Sequence, residues 1–426
     1  MLPVVPALTP RERGVLWLLA LAQLPYASAN TIFTQTVSWV ADDFGASDAA
    51  IGVAAAVVRW GVVLALPVAI LGDRAGRRRA VLAAAWLAPV LTALGALAPG
   101  FAWLTASQVV ARPMALALSV VCAVIATEEM GDDSRALALG LLAIAAGVGA
   151  GTVVALLPIA EWRLPGLGAG WRAVYLASLV WLVVPLVLQR RLHETRRFEA
   201  HAAEAPVRLQ RGRLAAQATV AVLGNVFIAG ASVFLVNYLR DARGFDAARV
   251  SLFTLVTASP AAIGLVAGGR LADRRGRRVL GAASLAVGTL CFVAAYLVSG
   301  APMWAAALVG GVALGVAYPA TGVYRGEMFA TRRRGTASGL VTTASLLGGS
   351  AGLLVAGLLL DRGAGYGEVM ALLALGPLAA SVVVLVAYPE TAHRALEDLN
   401  PGDAAGSAGA SGSAGAGDAP QSSSAP

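Results

Sequence analysis

The chain has 426 residues, 58% hydrophobic and only 13% charged, with a mean hydropathy of +0.74. A water-soluble fold of that length has too little interior to bury so much apolar surface, so the composition excludes one and makes lipid the solvent. The distribution of the net charge of +8 argues against nucleic acid, and the use of Arg for all 32 basic residues reads as the codon usage of a GC-rich bacterial genome.

Read from the N-terminus, residues 1–13 form a short basic segment. Ala27-Ser28-Ala29 imitates a signal-peptidase site, but the apolar stretch runs on to Val40, and an uncleaved first span is expected. About 20 apolar residues cross the hydrocarbon core as a helix. Spans fall near 14–40, 49–71, 80–99, 101–127, 136–159 and 172–189, then 214–239, 249–271, 279–299, 301–325, 336–360 and 367–388. The expected domains are a six-helix bundle over 14–189, a polar linker over 190–213, a second bundle over 214–388 and a tail over 389–426. From about 401 the tail is almost wholly Gly, Ala, Ser, Pro and Asp and is expected to be disordered.

Cys122 and Cys291 lie in separate apolar runs and are expected to pack inertly rather than pair. An enzyme is not indicated. The Gly147–Gly151 run lacks dinucleotide-loop spacing, no phosphate-loop Lys exists, and His193, His201 and His393 lack metal spacing. No cofactor or metal is expected.

The chain repeats itself. Leu71-Gly-Asp-Arg-Ala-Gly-Arg-Arg-Arg-Ala80 returns as Leu271-Ala-Asp-Arg-Arg-Gly-Arg-Arg-Val-Leu280. Glu128 and Arg135 return as Glu327 and Arg334, and His193-Glu194-Thr195 as Pro389-Glu390-Thr391. Each copy follows the same span of its half, so an even number of crossings separates them and the repeat is parallel. Such a duplication in so apolar a chain implies a secondary transporter. Arginine fixes its direction: 24 fall on one side of the spans and 6 on the other. The richer side is expected to be cytoplasmic, with both termini inside a cell membrane.

Gly72-Asp73-Arg74-Ala75-Gly76-Arg77-Arg78 and its second copy resemble the loop 2–3 and loop 8–9 signature of the major facilitator superfamily. Glu327-Met-Phe-Ala-Thr-Arg-Arg-Arg334 is similar to a loop 10–11 pattern of its sugar porters, metabolite–proton symporters and organic-ion transporters, with Ala330 where a Pro is usual. The Glu-Thr pairs at 194 and 390 resemble motifs closing each half in sugar-porter relatives. The resemblance implies an all-α membrane fold of twelve transmembrane helices in two six-helix bundles. It also implies a cavity lined by helices 1, 4, 7 and 10, and alternating access.

The loop charges carry a physical reading of their own. Asp73 and Asp273 end helices whose dipoles disfavour them, while helices 11 and 5 begin on the same face with free N–H groups. Cross-domain capping by these carboxylates would close the cytoplasmic side, with Arg74, Arg77, Arg78, Arg274, Arg277 and Arg278 as further gating candidates. Glu128 could brace Arg77 or Arg78, and Glu327 could brace Arg277 or Arg278; Arg135 and Arg334 complete the set. The plainer role for these arginines is to enforce topology.

Two arginines lie mid-span with no carboxylate in the middle of any helix to meet them. Arg59 and Arg112 are each about 15 Å from the same membrane surface at 1.5 Å per residue, where a charge is costly and usually functional. A negatively charged substrate would satisfy both through bidentate hydrogen bonds. Arg112 also resembles a common helix-4 Arg of the superfamily, which leaves a structural or coupling role open, and Arg59 could simply bond a neighbouring helix. Helical spacing adds Tyr26 and Asn30 with Gln23 on helix 1, Asn225, Ser232 and Asn237 on helix 7, and Tyr318, Thr321 and Tyr324 on helix 10. Trp39 and Tyr238 read as interfacial anchors. Helix 1 lacks the Asp of many proton symporters, and helix 5 lacks the Pro of drug antiporters. A coupling proton would need Glu128, Glu129 or the substrate itself, and uncoupled diffusion or anion exchange is equally open. The expected function is a monomeric transporter of a small organic anion or metabolite; a proton-coupled exporter of amphipathic compounds and a transport-inactive sensor are the rivals.

Overall fold

The computed structural model describes residues 9–61, 77–130, 135–193, 210–322, 324, 328–329 and 334–391. Helix α1 (Pro10–Phe44) starts at Thr9, whose hydroxyl accepts the Glu12 N–H while the Glu12 carboxylate accepts the Thr9 N–H. It ends at Gly45 with φ 64°, a left-handed stop that glycine adopts without strain. Ser47 caps α2 (Asp48–Trp60), whose continuation lies outside the described residues. Then come α3 (Arg77–Ala93), α4 (Phe101–Glu129) and α5 (Arg135–Leu156). Helix α5 tightens into a short 3₁₀ turn, Leu157–Glu161, where Pro158 sits. Helix α6 (Trp171–Arg191) closes the first half.

The second half repeats the order. Helix α7 (Arg211–Asn237) runs into a π turn, Tyr238–Ala242, and α8 comes in two pieces, Ala247–Ala258 and Ala261–Arg275. The sequence reading had one unbroken span there; Pro260 has no N–H to continue the ladder, and the helix breaks before it. Helices α9 (Arg277–Leu297), α10 (Ala301–Gly322), α11 (Arg334–Asp361) and α12 (Tyr366–Ala387) follow. Eleven helical segments among the described residues are long and apolar enough to cross a membrane. The twelfth element is α2. The fold is an all-α membrane protein of two six-helix bundles repeated in parallel.

The duplication is visible in the packing. A Cβ built at Gly149 of α5 would lie 2.4 Å from the Leu24 carbonyl oxygen of α1, and one at Gly348 of α11 would lie 2.1 Å from that of Val222 on α7. In each half, the same helix pair crosses backbone to backbone where only glycine fits.

On the arginine-rich face, the Gly-Arg-Arg signature has a local cause. Gly276 takes φ 94° between α8 and α9, and a Cβ there would lie 2.8 Å from Glu390. The Glu390 carboxylate accepts the N–H groups of Arg277 (2.9 Å) and Arg278 (3.2 Å), capping α9, while an Nη of Arg277 reaches Thr391 (3.3 Å). In the first half Arg78 donates to the Gln189 and Leu192 carbonyls at 2.8 and 2.7 Å, holding the end of α6. Arg11 pairs with Glu129 at 3.1 Å.

Two expected interfacial anchors are instead interior. Tyr238 is buried and donates to the Ala295 carbonyl, and Trp39 is buried beneath the Arg240 guanidinium, 4.4 Å from its ring centre. Both lie near span ends, but neighbouring helices cover them before lipid can.

Candidate functional site

The two halves touch at the arginine-poor face. There α2 lies along α11, with Gly52 against Leu353 and Gly357 against Asp48 and Ala49. Two helix starts are capped across the boundary. The Ala49 N–H of α2 donates to Asp361 at the end of α11 (3.0 Å), and the Ala247 N–H of α8 donates to Glu161 at the end of α5 (2.6 Å). Each carboxylate meets the positive end of a helix dipole. Around them Arg240 bonds Asp42 at 2.7 Å and Ser38, the Asn237 amide donates to Asp48 at 3.2 Å, and Ser251 donates to the Val154 carbonyl at 2.7 Å. These contacts form a closed gate.

The reading from sequence missed this gate, although a signal existed. Glu161 and Asp361 are 200 positions apart, as are Asp73 and Asp273. Gly45 and Gly244, both with φ 64°, are 199 apart, as are the capping residues Ser47 and Asp246.

Beneath the gate lie the two mid-span arginines. The Nε of Arg112 on α4 donates to the Asn30 side chain on α1 at 2.8 Å, which fixes its orientation. Tyr26 lies one turn from Asn30 and beside Ser119, which donates to Gln23 at 3.0 Å. Arg59 of α2 leans across to the other half: a Cβ at Gly349 of α11 would lie 2.5 Å from its Nη1 and 3.3 Å from Ala229 of α7. Arg59 makes no hydrogen bond or ion pair with any described residue. The electrostatic neighbours of Arg112 are Arg59 and Tyr26, and those of Tyr26 include Tyr318 of α10, which is 72% exposed. Among the described residues no carboxylate acts on either guanidinium. Arg59, Arg112, Asn30, Tyr26 and Tyr318 therefore meet around one space between the halves.

Other expected positions lie elsewhere. Asn225 donates to Ser345 at 2.6 Å and ties α7 to α11. Asn237 is a correction: it is buried in the gate on Asp48, because α7 reaches the far face there, and it does not line the cavity. Tyr324 is also a correction. It is fully buried near the arginine-rich end, 4.7 Å from the Tyr388 ring, with its carbonyl accepting from Gln217, so α12 covers it from the cavity. Thr321 packs on Gly281, and Ser232 bonds back to its own helix. Among the gating candidates, Asp73, Arg74 and Glu327 lie outside the described residues, as do the side chains of Glu128, Arg135, Asp273, Arg274 and Arg334. Arg77, Arg78, Arg277 and Arg278 start α3 and α9 as described above.

A chain of paired six-helix bundles, gated at one face around a polar space at mid-depth, belongs to the class of multi-pass membrane transporters that work by alternating access. The major facilitator superfamily model matches residues 19–301 and 218–410, and the chain belongs to that superfamily. Its structure is similar to that of a bacterial homolog of the human lysosomal transporter Spinster in an inward-facing, occupied conformation (18% identity, TM-score 0.74, 89% of this chain and 97% of that one). It is also similar to the inward-open xylose transporter XylE from E. coli (16% identity, TM-score 0.75, 92% and 99%). A D-xylose–proton symporter matches as well (15% identity, TM-score 0.73, 89% and 98%). No curated protein matches the sequence. The chain is a secondary transporter for a small solute.

Proposed function

We propose that the solute is an organic anion, held between the halves by Arg59 and Arg112. The observation that carries this is the pair of half-buried guanidiniums that no carboxylate among the described residues neutralises. A charge at that depth is costly unless paired, and an anion supplies the pair while being recognised by it. Asn30 holds Arg112 by Nε alone and leaves its outer nitrogens to the ligand. A cationic drug would meet repulsion in the same place. With the arginine-rich face in the cytoplasm, the gate closes the outside.

Binding of an organic-anion panel to purified protein tests this. Arg59→Gln and Arg112→Gln should each weaken the best ligand by roughly a hundredfold to a few thousandfold, the about 3–5 kcal/mol lost when one partner of a buried pair is removed. Arg→Lys should rescue poorly, because an ammonium lacks the planar fork. Cationic amphiphiles binding equally well to wild type and both Gln variants would overturn the anion reading.

A further inference from the structure

We infer that the solute is a small dianion, with either two carboxylates or one fully ionised phosphate, bridging Arg59 and Arg112. This rests on the anion reading above and narrows it.

The first reason is charge balance. Two guanidiniums act on one space and no carboxylate among the described residues acts on either, so the pair presents two positive charges. A monoanion neutralises one and leaves the other in a medium of low dielectric, where an unpaired charge is expensive. A dianion leaves none.

The second is the geometry of the donors. Arg112 spends Nε on Asn30 and keeps its pair of terminal nitrogens, while Arg59 spends nothing on any described residue. Each offers a fork that matches two oxygens of one acceptor group. One carboxylate fills one fork. Two carboxylates, or the three terminal oxygens of a phosphomonoester, reach both.

The third is what surrounds them. Tyr26, Tyr318 and the Ser119–Gln23 pair present hydroxyl and amide groups but no acid. Among the described residues a ligand ammonium would find no counter-charge there, so an amino acid or other zwitterion fits worse than a plain dianion. Because Arg59 rests in the notch at Gly349 on the other half, a ligand that engages it touches the element that keeps the halves together.

Matched pairs that differ by one charge give the test. Succinate and glutarate are compared with their monomethyl esters, and phenyl phosphate with its methyl diester, by calorimetric titration of the full-length wild-type protein at neutral pH. The dianion of at least one pair should bind about tenfold or more tighter than its partner, a free-energy difference of about 1.4 kcal/mol. In Arg59→Gln both members of a pair should bind more weakly and that ratio should shrink to about threefold or less. Preference for the dicarboxylates or for the phosphomonoester tells the two sources apart. Equal binding within every pair overturns the dianion and leaves the anion reading standing. No binding by any member overturns both. The wild-type ratios decide even where the variant fails to fold.

Discussion

Replacing Glu161 by Ala removes the acceptor of the Ala247 N–H, one of the two contacts that cap a helix across the gate. Ala247 is fully buried, and the N-cap Asp246 serves a different donor, the Arg249 N–H. With the gate shut, the Ala247 amide would therefore lose its partner, whereas with the gate open water can reach it. A lost cap costs about 0.5–2 kcal/mol and an unsatisfied buried donor about 1–3 kcal/mol. Glu161 itself is exposed, so screening puts its contribution at the low end, about 1–2 kcal/mol. That is roughly a fivefold to thirtyfold fall in the closed-to-open ratio. Spin labels at Pro165 and Arg362, in a background lacking Cys122 and Cys291, report the separation of the halves at this face. Glu161→Ala should move population to longer distances, and Glu161→Gln, which keeps an acceptor, should move less. An unchanged distribution in the Ala variant would refute the capping argument and reduce Glu161 to a surface residue.

Topology and acidity give two further tests. A lone cysteine at Ala248 should react with an impermeant reagent added outside the cell, and one at His193 only after the cytoplasmic side is exposed; the reverse pattern inverts the gate assignment. In the closed gate, burial raises the Asp48 carboxyl above its ordinary value, Asp241, Asp361 and Asp42 raise it further, and the Asn237 amide opposes them. Arg240, Tyr366 and Glu161 are further charged and titratable groups at that gate. A group whose affinity for protons is higher in the closed state favours that state as protons are added. Acidification from the raised value down towards ordinary Asp near pH 4 should thus shorten the same label distances, and Asp48→Asn should flatten that dependence.

Span number and repeat were legible because each rests on dense local signal, namely long apolar runs and a charged motif that occurs twice. Arg59 and Arg112 stood out for the same reason, being charges where the pattern allows none. The gate did not stand out. Glu161 and Asp361 are single acidic residues at helix ends, and such residues mean little until another half brings a helix start to them. Asn237 and Tyr324 failed on a different point. Helical spacing gives the face of a helix but not the neighbour on that face, and Asp48 and Tyr388 come from distant parts of the chain. The break at Ser259-Pro260 was readable from Pro260, which has no N–H to continue the helix.

The swapped caps also bear on how such a chain arises from a unit of half its length. In a symmetric pair of identical six-helix units, residue i of one meets residue j of the other and the converse holds as well. One carboxylate at the end of the fifth helix would then supply both caps at once, and any change to it would count twice. Fusion into a single chain separates the two copies. Here one has become Glu161, serving a helix started by Asp246, and the other Asp361, serving one started by Ser47. Each side of the closure can thus be strengthened or loosened without touching the other, a freedom that a symmetric pair of identical units lacks.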